Sequence, residues 1–467
     1  RGWLMTGRLL VLTGLGTAAT VTLGLIGIPS TAHHARSPIT HIVVLMEENH
    51  TFDNELGFWC DQHRSRCAGL PAKVKLADGT TVVPGITRDN VPGIDHSIHA
   101  QTQALANRWD WIQGCRKAKA YACISGYKPS SVPNLATLAD HYVILDHAFT
   151  MANAPSWGGH LDQFAATTDG FTGDDPHKAP GVKLGPGWGC DSNTVANMLP
   201  VHGKSIPPQP TCIPDYSLGL AHGGAFEKTL VHHVPTILDE MDAAGVSWKI
   251  YAMSTAQAHR RPHQPPWFYG WSACPVFADC LYTSQDAKLV NSNKYFADAK
   301  AGALPNVSFV MPTGDGNYIY SQHTPESNAV GDNWIGRIMS AAMKGPEGKA
   351  TAVIVTYDDC GCFYDQVKPP LAPDGRRMGP RVPFVLISPY AKPKSTDSTV
   401  TSSTGSILAF IEWDFALPAL GINDRKADDL STDFDFSQKP IPFPHMVKQK
   451  MPASAYRLVW SPDQDPT

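Results

Sequence analysis

Oxygen-bearing side chains directly follow two apolar, β-branched stretches of this sequence. Glu48 and Asn49 come after HIVVLM, and Asp358 and Asp359 come after AVIVTY. Such runs are typical of strands buried on both faces, and ligands bind at the carboxyl ends of strands in open α/β sheets. Carboxylates held together in a dry site need a cation, and their oxygens suit a hard divalent ion. The two strand ends predict one metal site if the strands are neighbours; the alternative is a solvated turn at each.

A serine follows a third stretch of this kind. The run at 142–149 is predicted to be a strand, and it leads through a turn to Ser156, ahead of an amphipathic run at 161–166. A helix start offers backbone N–H groups and a dipole that favour a phosphate. A neighbouring cation would favour the serine alkoxide and make Ser156 a nucleophile. The alternative is that Ser156 only caps the helix.

Two histidines are candidate proton-transfer residues. His96 opens a predicted helix that runs to about Ile112, and His323 lies just beyond a predicted strand at 307–311. Histidine titrates near neutral pH, although a histidine at a helix start equally suits a cap or a surface position. His323 falls at the same edge of the sheet as the acids.

The elements that must position these residues follow an α/β pattern. Further strands are predicted at 246–252 and 381–389, and helices at 235–244, 330–343 and 405–417. The helix at 330–343 joins two strands in the right-handed crossover expected between parallel strands. The fold class predicted is therefore α/β, with a central, mostly parallel sheet flanked by helices.

Composition argues against two broad classes. The chain has 467 residues, of which 42% are hydrophobic, and a formal net charge of -4. The charge does not indicate a positive electrostatic field that would bind nucleic acid, and the hydrophobic fraction does not indicate disorder. We therefore expect no nucleic-acid partner. Glycine and proline, 39 of each, predict long connections between elements.

The first 35 residues have the pattern of a secretory signal peptide. Arg1 and Arg8 precede an uncharged run at 9–28, and small residues follow at 30–32. A retained anchor is the alternative, because about 20 apolar residues can span a bilayer. We expect a secreted, periplasmic or cell-surface protein, with a catalytic domain at 36–445 and a tail at 446–467.

Ten cysteines fall into close pairs, which in an exported chain predicts disulfides that each close a local loop. The pairs are Cys60 and Cys67, Cys115 and Cys123, Cys190 and Cys212, Cys274 and Cys280, and Cys360 and Cys362. Zinc is the competing interpretation, but no C-x-x-C spacing occurs. A bridge between Cys360 and Cys362 is strained, so these two could instead stay reduced or pair elsewhere.

An aromatic cluster lies in the irregular stretch at 260–271. As exposed rings, Trp267, Phe268, Tyr269 and Trp271 would line a cleft or contact a lipid surface. Packing under a disulfide-closed loop is the alternative that we favour.

Five motifs, taken in order, resemble the bacterial phosphoesterase family of phospholipases C and acid phosphatases, in the alkaline phosphatase superfamily. They are EENHTFDN at 47–54, APSWGGH at 154–160, TYDDCGCFYD at 356–365, RVP at 381–383 with SPY at 388–390, and GSIL at 405–408 with FIE at 410–412. The resemblance covers about residues 39–436. It implies an alkaline-phosphatase-like α/β sheet with long disulfide-closed loops and a phosphoryl-transfer site at its carboxyl edge.

The resemblance also assigns roles to particular residues. It implies a divalent metal ion of unknown identity, held by Glu48, Asn49, Asp358 and Asp359. The nucleophile of the family falls on Ser156. The histidines that surround the phosphate fall on His96 and His323 and, more loosely, on His160. The predicted function is that of a phospholipase C that hydrolyses phospholipid diesters through a phosphoserine intermediate, with peripheral contact at a membrane surface.

Three other functions stay open. An acid phosphatase could use the same centre on small phosphate monoesters, and the aromatic cluster favours the diesterase. A non-catalytic secreted binding protein would be expected to lack the nucleophile or a ligand. A serine esterase of carboxyl esters would need the elbow G-x-S-x-G, which is absent around Ser156.

The sequence departs from the family pattern at four places. His50-Thr51 replaces the usual Arg-Ser, Cys360 and Cys362 interrupt a Gly-Gly, Gln366 replaces a histidine and Gln322 replaces an acid. The ligands and the nucleophile are retained, so catalysis is expected. The departures bear on pH optimum and leaving-group preference.

Overall fold

The structure is a computed structural model that describes residues 37–117, 120–215, 231–260, 267–315, 318–398, 401–453 and 455. The predicted signal peptide at 1–35 lies outside the described residues. All the described residues belong to one compact unit.

The apolar runs form the strands of a central sheet. Its strands are β1 His41–Glu47, β2 Val143–Leu145, β3 Trp248–Ala252, β4 Leu289–Asn291, β5 Val307–Val310, β6 Thr351–Tyr357, β7 Phe384–Ile387 and β8 Thr396–Asp397. In space they lie in the order β4-β3-β5-β1-β6-β7-β2-β8. Only β7 runs against the others in this sheet. The predicted mixed, mostly parallel sheet is confirmed.

Helices flank this sheet. They are α1 Phe52–Gln62, α2 Ile98–Leu105, α3 Pro133–His141, α4 Ser156–Ala165, α5 Ile237–Ala244, α6 Thr255–Arg260, α7 Trp267–Gly270, α8 Ala278–Leu281, α9 Lys294–Ala301, α10 Asn328–Lys344, α11 Gly405–Phe415 and α12 Ile422–Arg425. Short 3₁₀ turns occupy Trp109–Trp111, Cys274–Val276, Ser284–Lys288, Gly348–Ala350 and Ser431–Asp433. Helix α10 packs on β1 and β6, while α4 contacts α5 and α11.

Two predicted elements are broken in the structure. The strand predicted at 142–149 divides into β2 and a separate pair, in which Ala148 and Phe149 lie beside Ser402 and Ser403. The helix predicted to reach Ile112 stops at α2, because Asn107 has a φ of 55° and turns the chain before the 3₁₀ turn. Hydrophobic periodicity and composition do not reveal where a new strand pairing, or a residue in the left-handed conformation, interrupts an apolar segment.

Cysteine pairing follows the sequence prediction at four of the five pairs. These pairs lie at disulfide distance: Cys60–Cys67, Cys115–Cys123, Cys190–Cys212 and Cys274–Cys280. Cys360 and Cys362 are free and buried.

The start of the predicted tail is fixed to the body of the protein. Val447 donates its N–H to Asn134 Oδ1 at 2.7 Å, and Gln449 Nε2 donates to Asp332 Oδ2 at 2.7 Å. Within the described residues, no helix combines the length and apolarity needed to cross a bilayer.

Candidate active site

The two acidic pairs emerge side by side because β1 and β6 are neighbours. Glu47 is in register with Tyr357 at the ends of these strands. The N–H of Asp358 donates to Glu47 O at 3.1 Å, and the N–H of Asn49 donates to Asp358 Oδ1 at 3.1 Å. The parallel pairing therefore places Glu48 beside the two aspartates, as the metal-site prediction requires.

Ser156 lies among these acids. Its Oγ is 3.2 Å from Glu48 Oε2, 3.3 Å from Asn49 Oδ1 and 3.3 Å from Asp359 Oδ2. Ser156 is the first residue of α4, and the N-cap is Pro155, so the capping alternative is wrong. The hydroxyl is free to interact with the acids instead of with its own helix.

Gly159 lets α4 approach the end of β6. A Cβ atom at this position would lie 2.6 Å from Asp358 O, a separation that real Cβ atoms essentially never show. Glycine is therefore required for the contact between the helix that carries Ser156 and the strand end that carries the aspartates.

The expectation that free N–H groups at the start of α4 would bind phosphate is wrong for the next two residues. Trp157 N–H donates to Asp175 Oδ1 at 2.9 Å, and Gly158 N–H donates to Gly173 O at 3.2 Å. These groups are already satisfied within the protein.

The two predicted histidines fix the orientation of Asn49. Nδ1 of His96 lies 2.8 Å from Ile94 O, and Nδ1 of His323 lies 2.6 Å from Thr324 O. A carbonyl only accepts, so both Nδ1 atoms carry hydrogens. Burial lowers the pKa of His96 to about 4, so its Nε2 is an acceptor at neutral pH and Asn49 Nδ2 donates to it at 3.1 Å. The amide oxygen of Asn49 consequently faces the acids. His96 has no Nε2 hydrogen to donate in this state, so the proton-donor role stays a prediction for His323 alone.

In this orientation, oxygens converge on one point. Asn49 Oδ1 lies 2.9 Å from Asp358 Oδ1, 3.1 Å from Asp359 Oδ2 and 3.2 Å from Glu48 Oε2. Turning the amide over would make these contacts hydrogen bonds, but it would aim the amide oxygen at the unprotonated Nε2 of His96. Burial and the neighbouring carboxylates raise the pKa of Glu48 and of Asp359 well above their usual values. Such a buried, all-oxygen donor set fits a hard divalent cation.

His160 contacts the acids directly, and its predicted place near the phosphate stays a prediction. It lies one turn after Ser156, and its Nε2 is 3.1 Å from Glu48 Oε1 and 4.0 Å from Asp358 Oδ2. Glu48, His160 and Asp358 offer ligand atoms within 4.8 Å of one another. The geometry therefore adds His160 to the residues that could hold the cation, which the sequence did not indicate.

The described side chains of the aromatic cluster are buried, as the packing alternative requires, and the exposed alternative is wrong. Phe268, Tyr269 and Trp271 are each at most 2% exposed, while the side chain of Trp267 lies outside the described residues. Trp271 lies beside His160, with ring centroids 6.4 Å apart. These rings pack inside the protein, so they do not support contact with a lipid surface.

Arg381 holds the segments behind the site together, a role that sequence reasoning missed. Its guanidinium donates to Asp53 Oδ1 at 3.0 Å, to Asp365 Oδ1 at 2.8 Å and to Asp146 O at 2.6 Å. These partners follow β1, β6 and β2 in the chain. The RVP motif, which contains Arg381, was the sequence feature that could have indicated this role. The three partners of Arg381 are remote from it in sequence, so the motif alone does not identify them.

His50 supports the loop before His323. Its Nε2 donates to Gln322 O at 2.9 Å. The Gln322 side chain in turn accepts from Tyr357 Oη at 2.6 Å. His50 and Gln322 are thus buried in contacts that hold the loop before His323 against β6.

The fold and site together define an α/β protein in which a serine hydroxyl and an oxygen-rich cluster meet at the carboxyl edge of a mostly parallel sheet. Residues 39–418 match the Phosphoesterase family. The chain belongs to that family.

Several relatives are phospholipases C by name. Non-specific phospholipase C1 of Arabidopsis thaliana is 24% identical, over 77% of this chain and 62% of that protein. Hemolytic phospholipase C of Pseudomonas aeruginosa is 24% identical, over 85% of this chain and 56% of that protein. This chain therefore spans less than two thirds of either relative. A solved structure described as a protein in the alkaline phosphatase superfamily, from Vibrio parahaemolyticus, overlaps 85% of this chain and 71% of its own at 12% identity, with a TM-score of 0.36.

Proposed function

We propose that this chain is a secreted, metal-dependent phosphoesterase that acts as a phospholipase C through a phosphoserine intermediate on Ser156. The observation that carries the proposal is the position of the Ser156 hydroxyl, 3.2 to 3.3 Å from Glu48, Asn49 and Asp359. A lone serine hydroxyl is a weak nucleophile, and oxygens at this distance can take its proton or share a cation with it.

The divalent cation would be held by Glu48, Asn49, Asp358 and Asp359, with His160 within reach. A bound cation supplies positive charge that favours the serine alkoxide and offsets negative charge on the phosphoryl oxygens. Asn49 is the residue whose placement is most constrained, because His96 and its own backbone N–H both fix it. The ligand set is thus held in position before substrate arrives, which is the condition for electrostatic catalysis.

In the proposed reaction, Ser156 Oγ gives its proton to a neighbouring carboxylate and forms a bond to phosphorus. The ester bond to the departing alcohol breaks in line, and that alcohol takes up a proton to replace the one that Ser156 gave to the carboxylate. His323 is the remaining histidine for this step, because Nε2 of His96 carries no hydrogen at neutral pH. Water then attacks the phosphoserine and releases the phosphoryl group. For a phospholipid, the products are diacylglycerol and a phosphomonoester such as phosphocholine.

The names of the relatives support a phospholipid diester as substrate. The aromatic cluster does not support it, because the cluster is buried. A measured substrate preference must therefore separate a phospholipase C from an acid phosphatase. Purified protein is assayed with nitrophenyl phosphate, a monoester, and with nitrophenyl phosphocholine, a diester. We expect the diester to have the higher kcat/KM; a preference for the monoester would assign the chain as a phosphatase.

The nucleophile is tested with Ser156→Ala and a matched control, Ser406→Ala. Both serines are buried in the first turn of a helix, but Ser406 lies in α11 and accepts from Ser403 N–H. We expect Ser156→Ala to abolish turnover of both substrates and to fold normally, while Ser406→Ala keeps wild-type kcat. Acid quenching during turnover should add a phosphoryl mass to the peptide that contains Ser156. Substantial turnover by Ser156→Ala would exclude the mechanism.

A further inference from the structure

Three aspartates from separate segments converge at the edge of the central sheet. Asp397 ends the edge strand β8, Asp428 follows α12, and Asp433 ends the 3₁₀ turn Ser431–Asp433. Each offers a carboxylate oxygen, and these oxygens all lie within 4.8 Å of one another. Strand β8 is three strands from β6, so this cluster is roughly 14 Å or more from the aspartates beside Ser156.

One carboxylate oxygen of the cluster is buried without a hydrogen-bond partner. Asp433 is 4% exposed, and within the described part of the chain its Oδ2 has no hydrogen-bond partner. Asp397 is 8% exposed. A buried carboxylate oxygen without a hydrogen bond costs free energy, and the cost is greater when two other carboxylates lie beside it. Burial, followed by the charges of Asp397 and Asp428, raises the pKa of Asp433 to about 7, while Lys392, whose charge opposes this, is itself exposed.

The fold imposes this arrangement. Leu430 is fully buried between the two C-terminal aspartates, and Phe434 stacks on Phe410 of α11 with ring centroids 5.4 Å apart. These apolar anchors hold Asp428 and Asp433 against the end of β8, so the carboxylates cannot separate into solvent. Ser402 contributes a further oxygen, since its Oγ donates to Asp428 Oδ2 at 3.2 Å.

We propose that Asp397, Asp428 and Asp433 form a second divalent-cation site, of the calcium type, that fastens the C-terminal segment to the edge strand. Calcium takes oxygen ligands at about 2.4 Å in irregular geometry, so two oxygens that share one ion lie at most about 4.8 Å apart. The observed spacing meets that limit. All the donors are oxygens, and Asp428 and Asp433 lie outside the α-helices and β-strands, which suits calcium better than the strict octahedron of magnesium.

The test compares wild type with Asp433→Asn in the full chain, with Asp435→Asn as the matched control. Asp435 is a nearby exposed aspartate whose carboxylate accepts from Ser437. Thermal unfolding is followed in excess EGTA and during calcium titration, and bound calcium is counted by elemental analysis. We expect calcium to raise the Tm of wild type and of Asp435→Asn, and Asp433→Asn to lose this rise and to bind one ion fewer per chain.

In EGTA the order of stability should reverse. The amide of Asp433→Asn removes one of three crowded charges and can donate to its neighbours, so this variant should then unfold at a higher temperature than wild type. Asp428→Asn should behave in the same way. Turnover at saturating substrate should be unchanged in both, which separates this site from the one at Ser156.

Two results would overturn the inference. One is an equal calcium response in wild type and Asp433→Asn. The other is a wild-type Tm that ignores calcium and falls as pH rises, with that pH dependence lost in Asp433→Asn, because the carboxylates would then share a proton and not a metal ion.

Discussion

Replacing Gly159 by alanine should impair catalysis without unfolding the protein. The added Cβ would lie 2.6 Å from Asp358 O, whereas ordinary contacts begin at 3.4 Å, so α4 and the end of β6 must separate by about 0.8 Å. Helix α4 carries Ser156 and His160, and both contact the acids on the other side of this gap. Misplacement of reacting groups by about 1 Å costs roughly a hundredfold in rate, which corresponds to about 2.7 kcal/mol in activation free energy.

The assay measures kcat and KM for the nitrophenyl diester together with Tm. We expect kcat to fall about a hundredfold, while alanine's helix propensity, worth up to about 1 kcal/mol, offsets part of the strain in the folded state. Gly85→Ala is the control, because its Cβ would meet only Ser125 Cβ at 3.7 Å and Ile124 O at 4.0 Å. If Gly159→Ala folds and keeps kcat within about threefold of wild type, the close approach of α4 does not position the nucleophile.

Other consequences of the structure can be measured directly. Arg381→Met should lower the free energy of unfolding, measured in urea titrations, by about 3–5 kcal/mol, because it leaves the buried carboxylates of Asp53 and Asp365 without the guanidinium charge. The control is Arg64→Met, at an exposed arginine. An equal loss of stability in the control would contradict this role of Arg381. Burial and Asp424 raise the pKa of Glu412 to about 9, so its contribution to stability is greatest at acid pH and is lost as pH rises from about 4 to 9. Glu412→Gln should therefore flatten the dependence of Tm on pH in that window and raise Tm at pH 8; an unchanged pH profile would count against a protonated Glu412.

The local pieces of the site could be predicted from the order of the amino acids. Apolar runs that stop at oxygen-bearing residues predicted β1 and β6 nearly to the residue. A strand buried on both faces excludes polar side chains, whereas polar side chains are tolerated where the strand ends. The same pattern identified Glu48, Asn49, Asp358, Asp359 and Ser156 as candidates, and close cysteine spacing predicted four pairs that lie at disulfide distance.

How these pieces meet depends on the packing of the folded chain. The parallel pairing of β1 with β6 brings Glu48 to Asp358, the loop after Ile94 turns His96 toward Asn49, and covering segments bury Trp271 in place of exposing it. The partners of Arg381 and the convergence of Asp397 with Asp433 were equally invisible in the sequence. Hydrophobic periodicity reports the burial of one segment at a time, whereas a site depends on contacts between segments that are hundreds of residues apart, and those contacts are set by the packing of the whole fold.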